Sequence, residues 1–250
     1  MRYKLIQVQE HKMYVDPIDK GDVTTALIKK GIFHPVMTKT VRELVKPGMV
    51  VIDAGAHVGY FTLIMAKYVG KSGLVYAFEP EPNNFRLLTK NVSLNKYQNI
   101  KLLQLAVTDA NGKGTLYVST ISQGSHSLAC SNIKRARVRV KLVSLDSFFS
   151  NHKGFDFIKV DVEGAEYGVL RSMHDIVRKN PNILMIYEFG QHLLQGFGVK
   201  PIELLNLLTN YGFKIYNINE KTQRVGPVSI PILMQRYPPG KATNILARRK

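Results

Sequence analysis

Apolar and polar positions alternate along much of this chain in blocks that repeat one design: a short apolar run, a carboxylate, then a helical pattern. The first block is Met49-Val50-Val51-Ile52, which runs into Asp53 and two spaced glycines, Gly55 and Gly59. Such a run predicts a buried strand whose C-terminal end opens onto a ligand. The glycines let the main chain turn tightly and approach a bound molecule without a Cβ in the way. From Val58 the apolar residues recur at helical spacing to about Val69.

The same block returns. Leu74 to Phe78 reads as a second strand ending in Glu79-Pro80, followed by a helix from Pro82 to about Leu94. Ile100 to Val107 reads as a third strand. Phe155 to Val160 is a fourth, tipped by Asp161 and Glu163 and followed by a helix from Ala165 to about Lys179. Asn182 to Glu188 and Phe213 to Ile218 are a fifth and a sixth, with a helix at Pro201 to Tyr211 between them. The short Thr243 to Ala247 suits a final antiparallel strand. Strands alternating with helices predict a doubly wound α/β sheet, here seven-stranded and mostly parallel with one antiparallel member. Gly226 to Lys241 holds four prolines and reads as an irregular loop, and Arg248-Arg249-Lys250 as a frayed tail.

Two stretches fall outside that alternation. Residues 1–48 read as a cover on the main unit at 49–250, the whole forming one compact body. In this cover, Tyr3 to Gln9 and Met13 to Val15 suggest a β-ribbon. Asp22 is placed to cap a helix over Val23 to Lys30 that stops at Gly31, and Val36 to Lys46 suggests a second helix ended by Pro47-Gly48. Helices there can lie over the C-terminal edge of the sheet as a substrate-side lid. The second stretch, Gly114 to Leu145, predicts an extra β-hairpin, with strands at Thr115 to Ser119 and Arg135 to Leu142 and a polar loop at Gln123 to Ser127. A period of two puts Arg135, Arg137, Arg139 and Lys141 on one face of its second strand.

Composition narrows the class without choosing a function. The 250 residues, 45% of them hydrophobic, suffice for one large α/β domain. A single cysteine, Cys130, excludes an internal disulfide and suits a reducing compartment. No apolar leader or membrane-length apolar run is present, so a soluble cytoplasmic protein without stable membrane insertion is expected. The net charge of +17 favours anionic partners such as nucleic acid, a phosphorylated sugar or an anionic membrane surface; a merely solvated basic surface explains it equally well.

The glycine spacing separates cofactors. A dinucleotide fingerprint, G-x-G-x-x-G, counted from Gly55 needs glycine at His57 and Tyr60, and neither is glycine. The spacing is D-x-G-x-x-x-G, which resembles the first motif of methyltransferases that use S-adenosylmethionine (SAM). A carboxylate at Asp53 suits the ammonium and sulfonium of SAM better than a pyrophosphate. Glu79, at the tip of the second strand, is placed to accept both hydroxyls of a ribose. Ala106 and Val107 are placed to face an adenine ring. Asp161 and Glu163 sit where carboxylates can do acid and base work, and His126 lies in a loop that can overhang the cofactor and act as a base.

Taken together, Val51 to Gly59, Phe78-Glu79-Pro80, Ile158 to Glu166 and the loop Gly124-Ser125-His126-Ser127-Leu128 resemble the FkbM family of SAM-dependent methyltransferases. The resemblance implies a Rossmann-like class I fold and methyl transfer, usually to a hydroxyl oxygen of a sugar, lipid or polyketide-like acceptor. It implies that Asp53, Gly55 and Gly59 hold the methionine part of SAM, that Glu79 holds the ribose and that Asp161 borders the transferred methyl. His57 stands where the family often carries asparagine, and it retains hydrogen-bonding capacity. His57, Tyr60 and Pro80 complete the expected cofactor set. The expected catalytic residues are Asp161, Glu163 and His126, with Glu188 and His192 as weaker bases. The spacing supports no metal site, and none is expected. The expected activity is O-methylation of a small, glycan or lipid acceptor, which the positive charge allows to be anionic. An RNA methyltransferase using the basic face is the alternative, ahead of an NAD-binding oxidoreductase and a non-catalytic nucleoside-binding module.

Overall fold

The computed structural model describes residues 3–119, 122–129, 136–152 and 154–249; Cys130 and Arg135 lie outside the described residues. Strands β1 (Lys4–Val8) and β2 (His11–Val15) pair antiparallel as the N-terminal ribbon. Helices α1 (Asp22–Lys30) and α2 (Pro35–Leu44) complete the cover. Asp22 is the first helical residue of α1 and not its cap; the preceding Gly21 takes that place.

The core then alternates: β3 (Val50–Ala54), α3 (Tyr60–Val69), β4 (Leu74–Phe78), α4 (Pro82–Leu94) and β5 (Ile100–Leu103). A side sheet follows from β6 (Ala106–Val107), β7 (Gly112–Val118) and β8 (Ala136–Val143), and then the short α5 (Leu145–Phe148). The chain returns to the core with β9 (Phe157–Val160), α6 (Glu166–Arg171), α7 (His174–Lys179), β10 (Leu184–Gly190), α8 (Gln191–Gly196) and α9 (Pro201–Asn210). It ends with β11 (Lys214–Asn219), β12 (Arg224–Pro227), α10 (Ile230–Arg236) and β13 (Ala242–Arg248).

The main sheet has the order β12-β11-β13-β10-β9-β3-β4-β5. Strands β10, β9, β3, β4 and β5 run parallel, and β13 inserts antiparallel between β10 and β11. The seven expected strands are all there, and the short β12 adds an eighth at the edge. Every residue of β9 is buried, as a strand covered by helices on both faces requires. Successive strand residues feed opposite layers. Val51 and Phe157 join the layer beneath α3 and α4, and Ile52 and Ile158 join the layer beneath α6 and α9.

Four local expectations change. The third strand divides, because after Leu103 the chain leaves the main sheet and Ala106–Val107 pairs in parallel with Leu142–Val143 of β8. The helix after Glu163 divides at Ser172, where the Asp146 carboxylate accepts the N–H groups of Asp175 and Ile176 and caps α7 as a new helix. The proline-rich stretch is ordered: Pro231 sits in the first turn of α10, where its missing N–H is no loss, and Gln191 donates to the carbonyls of Met234 and Tyr237 at its far end. Arg248 belongs to β13, and the Arg249 guanidinium donates to the Tyr211 carbonyl at 2.9 Å while lying over the Phe213 ring. The tail is therefore anchored there.

Candidate active site

The parallel strands place the loops after β3, β4, β9 and β10 at one edge of the sheet, where a doubly wound fold holds its ligand. An open cleft of about 240 Å³ lies at that edge, lined by Gly55, His57, Glu79, Asp161, Glu163 and Glu188 among others. Its far walls are Asp22 and Val23 of α1, Phe33 and His34 before α2, and the loop from Ser122 to His126 with Leu128. The cover thus borders the cleft as expected of a lid. Gln123 ties the walls together: its N–H donates to Asp19 at 2.9 Å, its side chain donates to Asp16 at 3.0 Å, and its carbonyl accepts from Asn84 at 3.0 Å.

The turn after β3 depends on Gly55, whose φ of 82° favours glycine and whose missing side chain leaves room for the main chain of Asp161. The Gly55 and Ala56 N–H groups both donate to the Phe78 carbonyl, which locks this turn to β4. Glu79 follows directly. Its two oxygens each accept one backbone N–H, from Glu81 at 2.9 Å and from His57 at 2.8 Å, which leaves lone pairs on both for further donors. Burial pushes Glu79 up to about 7, against the lowering effect of those two N–H groups.

His57 borders the cleft with both ring nitrogens closed off from solvent and without a hydrogen-bond partner among the described residues. Burial holds it down at about 4, with Asp19 and Asp161 opposing, so the ring is neutral at neutral pH. Pro80, Ala106, Val107 and Asp161 also line the cleft, so seven of the ten expected cofactor residues meet there.

Asp53, Gly59 and Tyr60 do not line it. Asp53 is fully buried; it accepts from Thr62 at 2.6 Å and lies 3.4 Å from the ammonium of Lys159. Its carboxylate therefore serves the protein's own lysine, contrary to the expected contact with the methionine part. Gly59 packs under Leu88, and Tyr60 shares a hydrogen bond with Thr38 of α2.

The three expected catalytic residues do converge on the cleft. Asp161 lies 3.4 Å from Lys159, whose Nζ also donates to the Gly55 carbonyl at 3.0 Å. Glu163 sits in a left-handed turn at φ 55°, and Ser127 of the hairpin loop donates to its carbonyl at 2.8 Å. Glu166 stiffens that turn by accepting the N–H groups of Val162 and Gly164, both at 3.1 Å. His126 accepts the Ser119 N–H on Nδ1 at 3.0 Å. Of the weaker bases, Glu188 faces the cleft, whereas His192 is exposed and turned to Gly240.

Lys159, Glu166, His34 and Asn84 were not visible as site residues from the sequence. Lys159 had one available signal: it interrupts the apolar run Phe157 to Val160 two positions before Asp161, and a lysine there must find an anionic partner.

A doubly wound sheet with acidic strand tips around an open cleft, and without a phosphate-binding glycine fingerprint, defines the Rossmann-like class I methyltransferase fold. Residues 53–215 match the Methyltransferase FkbM domain, and the chain belongs to that SAM-dependent family. It is 31% identical over 147 residues to Methyltransferase 1 of Beauveria bassiana, covering 50% of this chain and 58% of that protein. It is 26% identical over 157 residues to Methyltransferase sdnD of Sordaria araneosa, covering 50% of this chain and 60% of that one. In these two matches the chain thus spans under two thirds of each relative's length. Among solved structures, Trm5b from Pyrococcus abyssi shares the fold at a TM-score of 0.50 and 14% identity, over 98% of this chain and 55% of that one. Among the described residues no helix is long and apolar enough to cross a membrane.

Proposed function

We propose that the protein methylates a hydroxyl oxygen of a sugar, lipid or other small acceptor with SAM as donor. The observation that carries this reading is the Glu79 carboxylate, buried at the cleft wall with an accepting lone pair left on each oxygen, as the two hydroxyls of a ribose require. His57 lines the cleft beside it, with its main-chain N–H held by the same carboxylate.

When bound, SAM supplies an activated methyl group, so the chain's own task is alignment, which can contribute roughly 7 to 11 kcal/mol. Glu79 and His57 hold the nucleoside end, and Ala106 and Val107 provide an apolar wall for the adenine. Asp161, fixed in direction by Lys159, orients the acceptor. Gln123, clasped by Asp16, Asp19 and Asn84, fixes the lid side of the cleft.

Transfer of labelled methyl from SAM to hydroxylated sugars, lipids and RNA tests this reading. With the accepted substrate, Asp161→Asn lowers kcat by about 10²-fold while SAM affinity stays within a few-fold, as loss of acceptor alignment demands. Near-wild-type turnover in that variant contradicts the role given to Asp161.

The basic face supports RNA as a second acceptor class. Arg137, Arg139 and Lys141 are exposed on one side of β8, and Lys113 stands opposite Lys141 on β7. Leu116 of β7, however, lines the cleft from the other side of this sheet, so the cationic row looks away from the reacting groups. This geometry favours the small acceptor.

A further inference from the structure

Among the described residues, Glu188 has neither an ion pair nor a helix cap to account for its carboxylate at the cleft. It lies on β10 just past the last parallel pair with β9, Tyr187 with Val160, which sets it beside Asp161 at the same sheet edge. Its Oε2 is closed off from solvent and has no hydrogen-bond partner among the described residues, although the residue borders the cleft. One carboxylate oxygen from each of Glu188, Asp161 and Glu163 lies within 4.8 Å of the others. Lys159 neutralises one such charge through Asp161, at 3.4 Å, and divides its attention with Asp53.

We propose that Glu188 is the proton acceptor of the reaction and that the positive charge of bound SAM is what ionises it. The inference rests on the SAM reading above. Three carboxylates this close together cannot all ionise cheaply. Burial, and then Asp161, Glu163 and Glu166, hold Glu188 well above its ordinary value, with Lys159 opposing. These neighbours therefore favour the neutral carboxyl before cofactor enters, and a cation brought alongside favours the ionised form.

The consequence is charge balance through the transfer. The acceptor oxygen gains the methyl carbon, the electron pair of the broken carbon–sulfur bond stays on sulfur, and the hydroxyl proton passes to Glu188. One positive and one negative charge vanish together, so no net charge is created or stranded in the cleft. Product release then leaves Glu188 protonated as it began. Asp161, held by the lysine ammonium, keeps its orienting task.

The charged groups acting on Glu188 are Asp161, Glu163, Glu166 and Lys159 from the β9 side; His34 of the cover lines the same cleft, and the neighbour of Glu188 on β13, Asn244, does not titrate. Glu79 also borders the cleft, but the ribose it would meet is common to SAM and its product S-adenosylhomocysteine. The difference between the two ligands therefore isolates the response to the sulfonium.

The test is calorimetric titration of the wild type and of Glu188→Gln with each ligand, in buffers of different ionisation enthalpy, between about pH 6 and pH 8. Glutamine mimics the neutral carboxyl, so the variant is expected to fold. In the wild type, SAM binding releases up to one proton more than S-adenosylhomocysteine, and the ratio of their affinities rises by up to about tenfold per pH unit where Glu188 is protonated. In Glu188→Gln both differences disappear, and methyl transfer falls by about 10² to 10⁴-fold. Equal proton release by the two ligands, a difference that persists in Glu188→Gln, or one that appears only with added Mg²⁺ overturns the assignment while leaving SAM binding intact. Failure of both ligands to bind overturns the SAM reading itself.

Discussion

Gly55→Ala is expected to leave little folded protein. A Cβ on Gly55 would run into the Asp161 carbonyl oxygen, a main-chain atom that no rotamer change can move aside. The residue also has φ 82°, a conformation that costs an alanine roughly 1 to 2 kcal/mol before any clash is counted. Relieving the clash means separating β3 from β9, whose link at this point is the hydrogen bond from the Asp161 N–H to the Ala54 carbonyl. Overpacking that forces backbone shifts adds roughly 1 to 3 kcal/mol or more. The sum is a large share of the roughly 5 to 15 kcal/mol that holds a domain folded. Soluble yield and urea midpoint measure it. An alanine variant with wild-type stability would mean that the strand tips are not packed as described.

The second large effect is expected at Lys159. Its side chain is 3% exposed and its ammonium serves Asp53, Asp161 and the Gly55 carbonyl together. Lys159→Met keeps the length of the chain and removes the charge, leaving Asp53 buried with only the Thr62 hydroxyl to answer it. Breaking one side of a buried ion pair costs roughly 3 to 5 kcal/mol, because the remaining charge is stranded. Adding Asp53→Asn to Lys159→Met should recover part of that loss, which separates a stranded charge from lost packing.

Alkaline titration gives an independent reading. Burial pulls the Lys159 ammonium down, but Asp161 and Asp53 outweigh it and hold the group above its ordinary 10.5. The ion pair therefore contributes stability below pH 10.5 that is lost as pH rises through the folded value, and Lys159→Met should lack that loss. A Lys159→Met urea midpoint equal to wild type would contradict the account of the cleft floor.

Much of this arrangement was legible in the chain because its cause is local. An apolar run followed by a carboxylate and glycine marks a strand tip wherever it occurs, and Glu79 and Asp161 both lie where that rule puts them. Gly31 stops α1 for an equally local reason, a left-handed φ of 63°. The misplaced parts depend on partners far away in sequence. Nothing near Asp53 shows that a lysine more than a hundred positions later will claim its carboxylate, so its place at the strand tip suggests a ligand contact. The break at Ser172 comes from Asp146 on another helix. The helix at Ile230–Arg236 is held by Gln191, and Arg249 by carbonyls of Tyr211 and Val177. Prolines and a terminal run of basic residues suggest loops only until such contacts are known.

The most direct measurement is the structure of the protein crystallised with S-adenosylhomocysteine. The ribose hydroxyls should lie within hydrogen-bond distance of the Glu79 carboxylate, the adenine against Ala106 and Val107, and Asp53 should still hold Lys159 without touching the ligand. A nucleoside bound outside this cleft, or a ribose that ignores Glu79, would contradict the site as built from these residues.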